Sequence, residues 1–135
     1  MKKLKLLLLL VIAVASNSCV TDDHSDDSPS FLGTWNLTKS SGTIAGTTTE
    51  FESGLIRWTI TSDSIHVVNS NTNPELQDGF ETGAYAYTLH EDLGATDCVR
   101  WLSFGPDDKY CLGYGYNEMN LDQLVADGIN YDFIR

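Results

Sequence analysis

The side chains that most often carry catalysis are spread along this sequence without forming a familiar constellation. The three histidines, His24, His66 and His90, include neither a pair four residues apart nor an H-E-x-x-H motif. Serines are abundant, but none lies in a Gly-x-Ser-x-Gly elbow. Gly113-Tyr114-Gly115 lies inside a strand pattern, where glycine indicates a bulge or corner and not a phosphate cradle. We therefore expect that the protein is not an enzyme.

Carboxylates are numerous, with 19 Asp and Glu against 8 Lys and Arg. Paired carboxylates could in principle act as a glycosidase dyad, but sequence spacing cannot set the distance between them, and a solvated acidic surface is the favoured interpretation. Asp107-Asp108 follows Gly105-Pro106 in a turn and offers oxygen ligands for Ca²⁺. It lacks the alternating D-x-[DN]-x-[DN]-G pattern. We predict no metal site and no cofactor.

Cys98 and Cys111 are separated by a spacing far from the two-to-four-residue gaps of zinc sites, and no histidine lies near either one. A metal pair is the alternative to a disulfide. Because the amino-terminal residues described next predict export to an oxidising compartment, a Cys98–Cys111 disulfide is the simpler prediction.

The amino terminus has the pattern of a signal peptide. A basic head, Met1-Lys2-Lys3-Leu4-Lys5, precedes ten apolar residues from Leu6 to Ala15. That run is too short to cross a hydrocarbon core of about 30 Å at about 1.5 Å per residue. Cys19 follows Ser16-Asn17-Ser18, and this junction resembles a bacterial lipobox with Ser16 at the position that is usually aliphatic. The resemblance implies cleavage after residue 18 and lipid on Cys19; ordinary cleavage with a free or paired Cys19 is the alternative.

Cleavage would leave five basic residues against 19 acidic ones, a net charge of −14. So acidic a chain repels nucleic acid and anionic headgroups, because it cannot neutralise phosphates. Acyl chains on Cys19 would therefore supply the membrane attachment. The expected location is the outer membrane, on its periplasmic or cell-surface face. The expected form is a monomer.

Residues 19–30 are predicted to be a flexible acidic tether, and residues 31–135 a single domain. The aspartates after Cys19 resemble the surface-export signals of Bacteroidetes lipoproteins; a solvated spacer is the equal alternative. Asp63-Ser64-Ile65 resembles the short Asp-Ser/Thr-aliphatic sites at which Bacteroidetes attach O-glycans.

From residue 31 onward, short alternating segments rich in aromatic and β-branched residues replace the tether, and turn residues separate them. The pattern predicts eight strands, at 33–39, 55–61, 64–69, 82–90, 98–104, 109–115, 118–124 and 129–134. Short connections imply antiparallel neighbours. An all-β, up-and-down antiparallel barrel is the predicted fold, with a sandwich as the alternative. Residues 40–54 are predicted to be a long loop with a frayed strand at 47–52.

Alternation also predicts which face of each strand points inward. Ile56, Trp58 and Ile60 share the core face of their strand. In the segment 82–90, Tyr85, Tyr87 and Leu89 oppose small residues, and in the last segment Tyr131 and Phe133 share a face with Arg135. Such an aromatic row indicates packed core more often than a ligand wall.

Two short motifs then suggest a family. Gly33-Thr34-Trp35 resembles the Gly-x-Trp opening of lipocalin and calycin barrels, and the closing segment 130–135 resembles the last strand of lipocalin-like domains in secreted Bacteroidetes lipoproteins. This resemblance implies that Trp35 closes one end of the barrel and that Arg135 lies across its ring, a cation–π contact. The Thr-Asp-Tyr signature of full-length lipocalins is absent and the domain is shorter, which argues against a deep cup of standard size.

Two functions remain after these exclusions. A lipid-anchored barrel of eight strands can hold one small apolar or amphipathic ligand. In that case we expect the aromatic side chains of Trp58, Tyr85, Tyr87 and Trp101 to line it. The alternative is a structural or interaction protein of the envelope, with a filled barrel whose loops or acidic surface bind a protein or glycan.

Overall fold

Ten β-strands follow one another along residues 28–42 and 46–135, the part of the chain that the computed structural model describes, and this part contains no helix. Their bounds are β1 (Gly33–Gly42), β2 (Thr47–Glu50), β3 (Ile56–Ile60), β4 (Ser64–Asn69), β5 (Gly83–Ala86), β6 (Thr88–Glu91), β7 (Arg100–Ser103), β8 (Lys109–Tyr114), β9 (Glu118–Gln123) and β10 (Ile129–Ile134). The predicted signal peptide, Cys19 and the tether up to residue 27 lie outside the described residues.

The strands form one antiparallel sheet in the order β5-β4-β3-β1-β10-β9-β8-β7-β6, and β2 pairs with β1 beside this path. The first and last long strands pair with each other, from Asn36 opposite Ile134 to Gly42 opposite Ile129. The two strands at the ends of the path, β5 and β6, are separated only by Tyr87. The sheet is therefore nearly closed into a barrel with one seam, which confirms the all-β antiparallel prediction.

Two segments differ from the eight predicted strands. The predicted strand 82–90 is divided at Tyr87, because its first half pairs with β4 and its second half pairs with β7. In the predicted loop 40–54, the strand expected at 47–52 is present as β2, but β1 also continues to Gly42 and pairs with β2 over residues 39–42. A register irregularity between Leu37 and Lys39 bends β1, so that its first half pairs with β3 and its second half with β2.

The inward faces follow the predicted alternation. Ile56, Trp58 and Ile60 are buried while Arg57 between them is exposed. On β10, Tyr131 and Phe133 are buried. Trp35 lies opposite Trp58 in the register of β1 and β3, and both side chains are fully buried. Large aromatic side chains thus meet at the centre of the barrel, where they bury more apolar area than any other side chains.

Antiparallel pairing places the chain connections alternately at the two ends of the barrel. The N-terminal rim, as we call it, comprises residues 30–32 before β1, the connections 61–63, 92–99 and 115–117, and the last residues 134–135. The opposite rim comprises the connections 70–82, 104–108 and 124–128. Each rim is closed by a different set of side chains.

Candidate functional site

Arg135 lies across Trp35 at the N-terminal rim. Its guanidinium carbon is 4.1 Å from the centroid of the Trp35 ring, within the range of a cation–π contact. The same guanidinium donates hydrogen bonds to the carbonyl oxygens of Ser30, at 2.5 Å, and Leu32, at 2.6 Å. The last residue of the sequence therefore holds the segment that leads into β1.

Phe31 adds a second layer at this rim. The Trp35 Nε1 group donates a hydrogen bond of 2.7 Å to the carbonyl oxygen of Phe31, which satisfies the buried indole. The ring of Phe31 packs on those of Tyr114 and Tyr87, at centroid distances of 5.5 and 6.4 Å. Aromatic side chains and one guanidinium therefore cover this end of the barrel.

Phe80 fills the opposite rim, although it belongs to the connection 70–82 and not to a strand. Its ring packs at centroid distances of 5.2 Å from Trp58, 4.8 Å from Tyr85 and 4.9 Å from Phe104. Tyr110 lies slightly farther, at 6.3 Å. Because these side chains come from β3, β5, β8 and the connection after β7, one inserted ring joins opposite walls of the barrel.

A network of amides holds Phe80 in place. The Asn69 side-chain amide donates to the Phe80 carbonyl at 3.2 Å and to Asp78 Oδ2 at 2.9 Å. Asn71 donates to the same carboxylate oxygen at 2.7 Å. Gly79 has a φ of +82°, and a Cβ added there would lie 3.4 Å from the Tyr131 ring and 3.6 Å from Trp58. The positive φ favours glycine here, and the short distances show that the backbone passes close over the core.

Two tyrosines lie beneath this connection. Burial, together with the negative charges of Asp108 and Asp78, raises the pKa of Tyr131 to about 12. Burial and the neighbouring Asp108, which also accepts a hydrogen bond, raise the pKa of Tyr110 as well. Both phenols are therefore neutral donors over the physiological range, and neither is activated as a nucleophile or base.

Among residues 28–42 and 46–135, Ser40 Oγ and Trp58 Nε1 are buried without a hydrogen-bond partner. A buried donor or acceptor that lacks a partner costs about 1–3 kcal/mol. Trp58 Nε1 belongs to the ring on which Phe80 and Gly79 pack. This donor therefore belongs to a ring that a molecule replacing Phe80 would contact.

Three of the four expected ligand-lining residues lie on the inner side of the barrel. Trp58 is fully buried, and Tyr85 and Tyr87 pack against the core. Tyr87 also donates a hydrogen bond of 2.6 Å to the Thr61 carbonyl. All three contact other aromatic side chains, so they are part of a packed interior.

Trp101 does not lie with them. Leu102, its neighbour on β7, is fully buried, so alternation places Trp101 on the outer face of the sheet. There it stacks on His90, with ring centroids 5.1 Å apart and an interplanar angle of 6°. His90 Nε2 lies 2.9 Å from Ser103 Oγ. The expectation that Trp101 lines the interior is wrong, because both faces of this strand carry apolar residues and alternation alone does not choose between them.

The predicted disulfide between Cys98 and Cys111 is confirmed, with Cα atoms 5.7 Å apart. Cys111 lies opposite Trp101 in the register of β7 and β8. The bond therefore ties the connection before β7 to the outer side of β8, next to the Trp101–His90 stack.

Asp108 and Ser64, the candidates for calcium binding and glycosylation, form hydrogen bonds within their own turns. Asp108 stabilises its turn, since its carbonyl accepts a hydrogen bond from the Phe104 amide at 2.9 Å. Ser64 Oγ lies 3.0 Å from Asp63 Oδ1 and 2.9 Å from Thr61 Oγ1, and the two hydroxyls lower the pKa of the Asp63 carboxyl. In residues 28–42 and 46–135, no three His, Cys, Asp or Glu side chains come together as a metal site.

An open depression of about 450 Å³ lies on the outer face across β8, β9 and β10. Its floor contains Gly113, and Thr38, Asn120 and Asp132 stand around it. A Cβ at position 113 would lie 2.1 Å from Asn120 Oδ1, so the glycine lets the Asn120 amide lie flat against the sheet. The depression offers hydroxyl, amide and carboxylate groups on a rigid surface.

The fold and its two closed ends define a small antiparallel barrel with a packed aromatic interior. No protein-family model, no curated protein and no solved structure matches this chain. Within the described residues, no helix is long and apolar enough to cross a bilayer.

Phe80, whose position decides whether the interior is free, was not predicted from the sequence. Its signal there is an aromatic residue after Gly79 in a connection that is polar apart from Leu76 and Pro74.

Proposed function

We propose that this chain is a lipid-anchored protein of the cell envelope, with a filled lipocalin-like barrel that serves as a rigid scaffold for binding a protein or glycan partner on its outer surface. The position of Phe80 carries this proposal. A barrel of this size either fills with side chains or holds one small ligand. With Phe80 within 5.2 Å of Trp58, and Tyr85 and Phe104 closer still, the place of a ligand is taken by the protein itself.

The outer surface supports recognition of a polar partner. Trp101 and His90 form a stacked pair beside a disulfide, which limits their movement. The depression around Asn120 presents amide and carboxylate groups of the kind that bind hydroxyls. Aromatic and amide side chains on a rigid sheet lose little conformational entropy on binding.

The anchor is part of the same proposal. Lipid on Cys19 would attach a mature chain of net charge −14 to the outer membrane, which its acidic surface alone does not favour. Cys19→Ser should release the protein from the membrane fraction and remove the acyl mass. Membrane association that persists in the unacylated variant would show that the anchor lies elsewhere.

A second candidate is a binding cup for a small apolar or amphipathic ligand that displaces Phe80. The unpaired Trp58 Nε1 donor favours it, because a ligand with an acceptor would satisfy a group that the packed barrel leaves without a partner. The two candidates differ in whether the wild-type interior accepts a ligand.

Native mass spectrometry and thermal shifts with fatty acids, haem, sterols and glycans separate the candidates. The filled-barrel proposal predicts that the wild-type protein binds none of the apolar compounds. Phe80→Ala opens the interior and should cost about 2–4 kcal/mol of unfolding free energy, with Tyr116→Ala on the exposed N-terminal rim as the matched control. A stoichiometric complex of the wild-type protein with an apolar compound would overturn the filled-barrel proposal in favour of the cup.

The partner class has its own test. Binding to an array of glycans and to detergent extracts of envelope proteins is compared between the wild-type chain and Trp101→Ala. Val68→Ala, at an exposed apolar position on a strand away from the stack, is the control. Loss of binding in the first variant alone supports recognition at the Trp101–His90 stack, and equal binding by both variants excludes it.

A further inference from the structure

Exposed apolar side chains are concentrated at the N-terminal rim. Leu93 is 81% exposed and Tyr116 is 63% exposed, each in a connection between strands. Leu32, Val99 and Ile134 are also exposed there. The opposite rim exposes only Leu124 and Val125 among the large apolar side chains of the described residues. An exposed apolar set at one end of an otherwise acidic domain indicates a contact surface.

Hydrogen bonds hold the backbone segments that carry these side chains. Arg135 Nη1 donates to the Tyr116 carbonyl at 3.5 Å, and Nη2 donates to the Leu32 carbonyl at 2.6 Å. The Arg135 amide donates to the Asn117 carbonyl at 3.2 Å. Arg135 therefore brings residue 32, the connection 115–117 and the end of β10 together around one guanidinium.

The connection 92–99 presents Leu93 in a comparable way. The Ala95 amide donates to the Asp92 carbonyl at 3.1 Å, and the Asp92 amide donates to the Val99 carbonyl at 2.8 Å. The Asp92 carboxylate accepts from the Gly94 amide at 2.9 Å. This turn leaves the leucine side chain at the tip of the connection, directed away from the domain because none of the core contacts it.

The same rim is where the chain enters the domain. Eight residues separate Cys19 from Ser28, the first described residue. A chain of that length spans at most about 30 Å when fully extended. As a flexible coil it spans about 17 Å. A lipid on Cys19 would therefore attach the domain to the bilayer at its N-terminal rim, through a tether no longer than about 30 Å.

The charge of the N-terminal rim determines which kind of lipid surface it can contact. Arg100 is paired with Glu91, and Arg135 is occupied by backbone carbonyls and Trp35. Asp63, Asp92, Asp97 and Glu118 add negative charge on or near this rim. An anionic surface would be repelled, whereas neutral zwitterionic headgroups accept leucine and tyrosine side chains at the interface.

We propose that the N-terminal rim rests on the bilayer, with Leu93 and Tyr116 inserted among zwitterionic headgroups as a second attachment beside the lipid. This orientation would direct the opposite rim, and the outer face of the sheet, away from the membrane. The proposal rests on the proposed lipid anchor.

The test supplies the anchor chemically, so its outcome does not depend on whether cells acylate Cys19. The chain from Cys19 onward is coupled through that thiol to a maleimide lipid in phosphatidylcholine vesicles. Hydrogen exchange is compared with that of the uncoupled chain. We expect several-fold slower exchange in the connections 92–99 and 115–117 and unchanged exchange in 70–82 and 124–128.

The double variant L93S/Y116S should lose this protection, whereas Val125→Ser, at a 50% exposed position on the opposite rim, should keep it. Equal exchange in coupled and uncoupled protein, or protection that survives in the double variant, would overturn the proposal. Protection that grows with the density of protein on the vesicle would instead assign the rim to a second copy of the chain. Whether the protein carries the lipid anchor is tested separately, by membrane fractionation of the Cys19→Ser variant.

Discussion

The guanidinium of Arg135 lies 4.1 Å above the ring of Trp35, so the last residue of the sequence covers a side chain in the first long strand of the barrel. Trp35 lies in β1 and Arg135 directly follows β10, and these two strands pair with each other. The contact therefore joins the two ends of the domain at the place where the sheet closes.

Removal of this guanidinium should weaken the whole domain. Arg135→Ala deletes the cation–π contact and the hydrogen bonds to the Ser30 and Leu32 carbonyls. We expect a loss of about 1–3 kcal/mol in the free energy of unfolding, measured by urea denaturation. Arg135→Lys should recover only part of it, because an ammonium lacks the planar fork that reaches both carbonyls.

Arg57→Ala is the control for general effects of charge, since Arg57 is exposed on the outer face of β3. Arg57→Ala should change the free energy of unfolding by no more than about 0.5 kcal/mol. A loss in Arg135→Ala no larger than that of the control would mean that the closing contact adds nothing to stability.

Gly79 should tolerate a large side chain less well than Gly54, although both have positive φ, +82° and +89°. Leucine at either position incurs the cost of left-handed backbone, about 1–2 kcal/mol. At position 79 the Cβ already contacts Tyr131 and Trp58, which leaves little room for the rest of the side chain, whereas no atom lies within 4 Å of a Cβ at position 54. Gly79→Leu should therefore be less stable than Gly54→Leu by about 1–3 kcal/mol in thermal unfolding. Equal losses would show that the connection 70–82 is not packed on the core in solution.

Stability should fall in alkaline solution because burial raises the pKa values of both Tyr131 and Tyr110, and Tyr131 accounts for part of the fall. The pKa of Tyr131 is about 12 in the folded protein and about 10 when unfolded, so between these values the unfolded chain releases a proton that the folded chain keeps. The contribution of Tyr131 is fully present below pH 10. It is lost as the pH rises towards 12, with a slope of up to about 1.4 kcal/mol per pH unit.

Urea denaturation at a series of pH values measures this slope. Tyr131→Phe should make the decline shallower, with the part due to Tyr110 remaining, whereas Tyr116→Phe, at a 63% exposed position, should leave it unchanged. A decline of the same steepness in Tyr131→Phe would assign the alkaline sensitivity to other groups.

The Cys98–Cys111 bond should contribute about 3 kcal/mol, because it closes a loop between residues 13 apart. In a Cys19→Ser background, reduction should lower Tm by about 10–20 °C. The double variant C98A/C111A should melt at that lower temperature with or without reductant. A Tm that reductant does not change in the parent would place the bond outside the cooperative unit.

The local sequence pattern was sufficient to predict the inward-facing residues where one face of a strand was clearly apolar. The alternation in β3 predicted that Ile56, Trp58 and Ile60 point inward, and all three are buried. In β7, however, both Trp101 and Leu102 are apolar, and only the pairing of Leu102 with Leu89 and Tyr110 decides which one points inward. Period-two alternation encodes opposite faces but not which face is inside when both are apolar.

The all-β class, most inward faces and the Cys98–Cys111 pairing were predictable from local pattern, because they depend on the spacing of neighbouring residues and on thiol count. The seam at Tyr87 and the filling of the opposite rim by Phe80 were not. Both depend on contacts between distant parts of the chain, since the partner strands β4 and β7, and the rings of Trp58, Tyr85 and Phe104, meet only when the sheet curves. A polar connection carries no local pattern that reports such packing, so whether the barrel is open or filled becomes visible only in three dimensions.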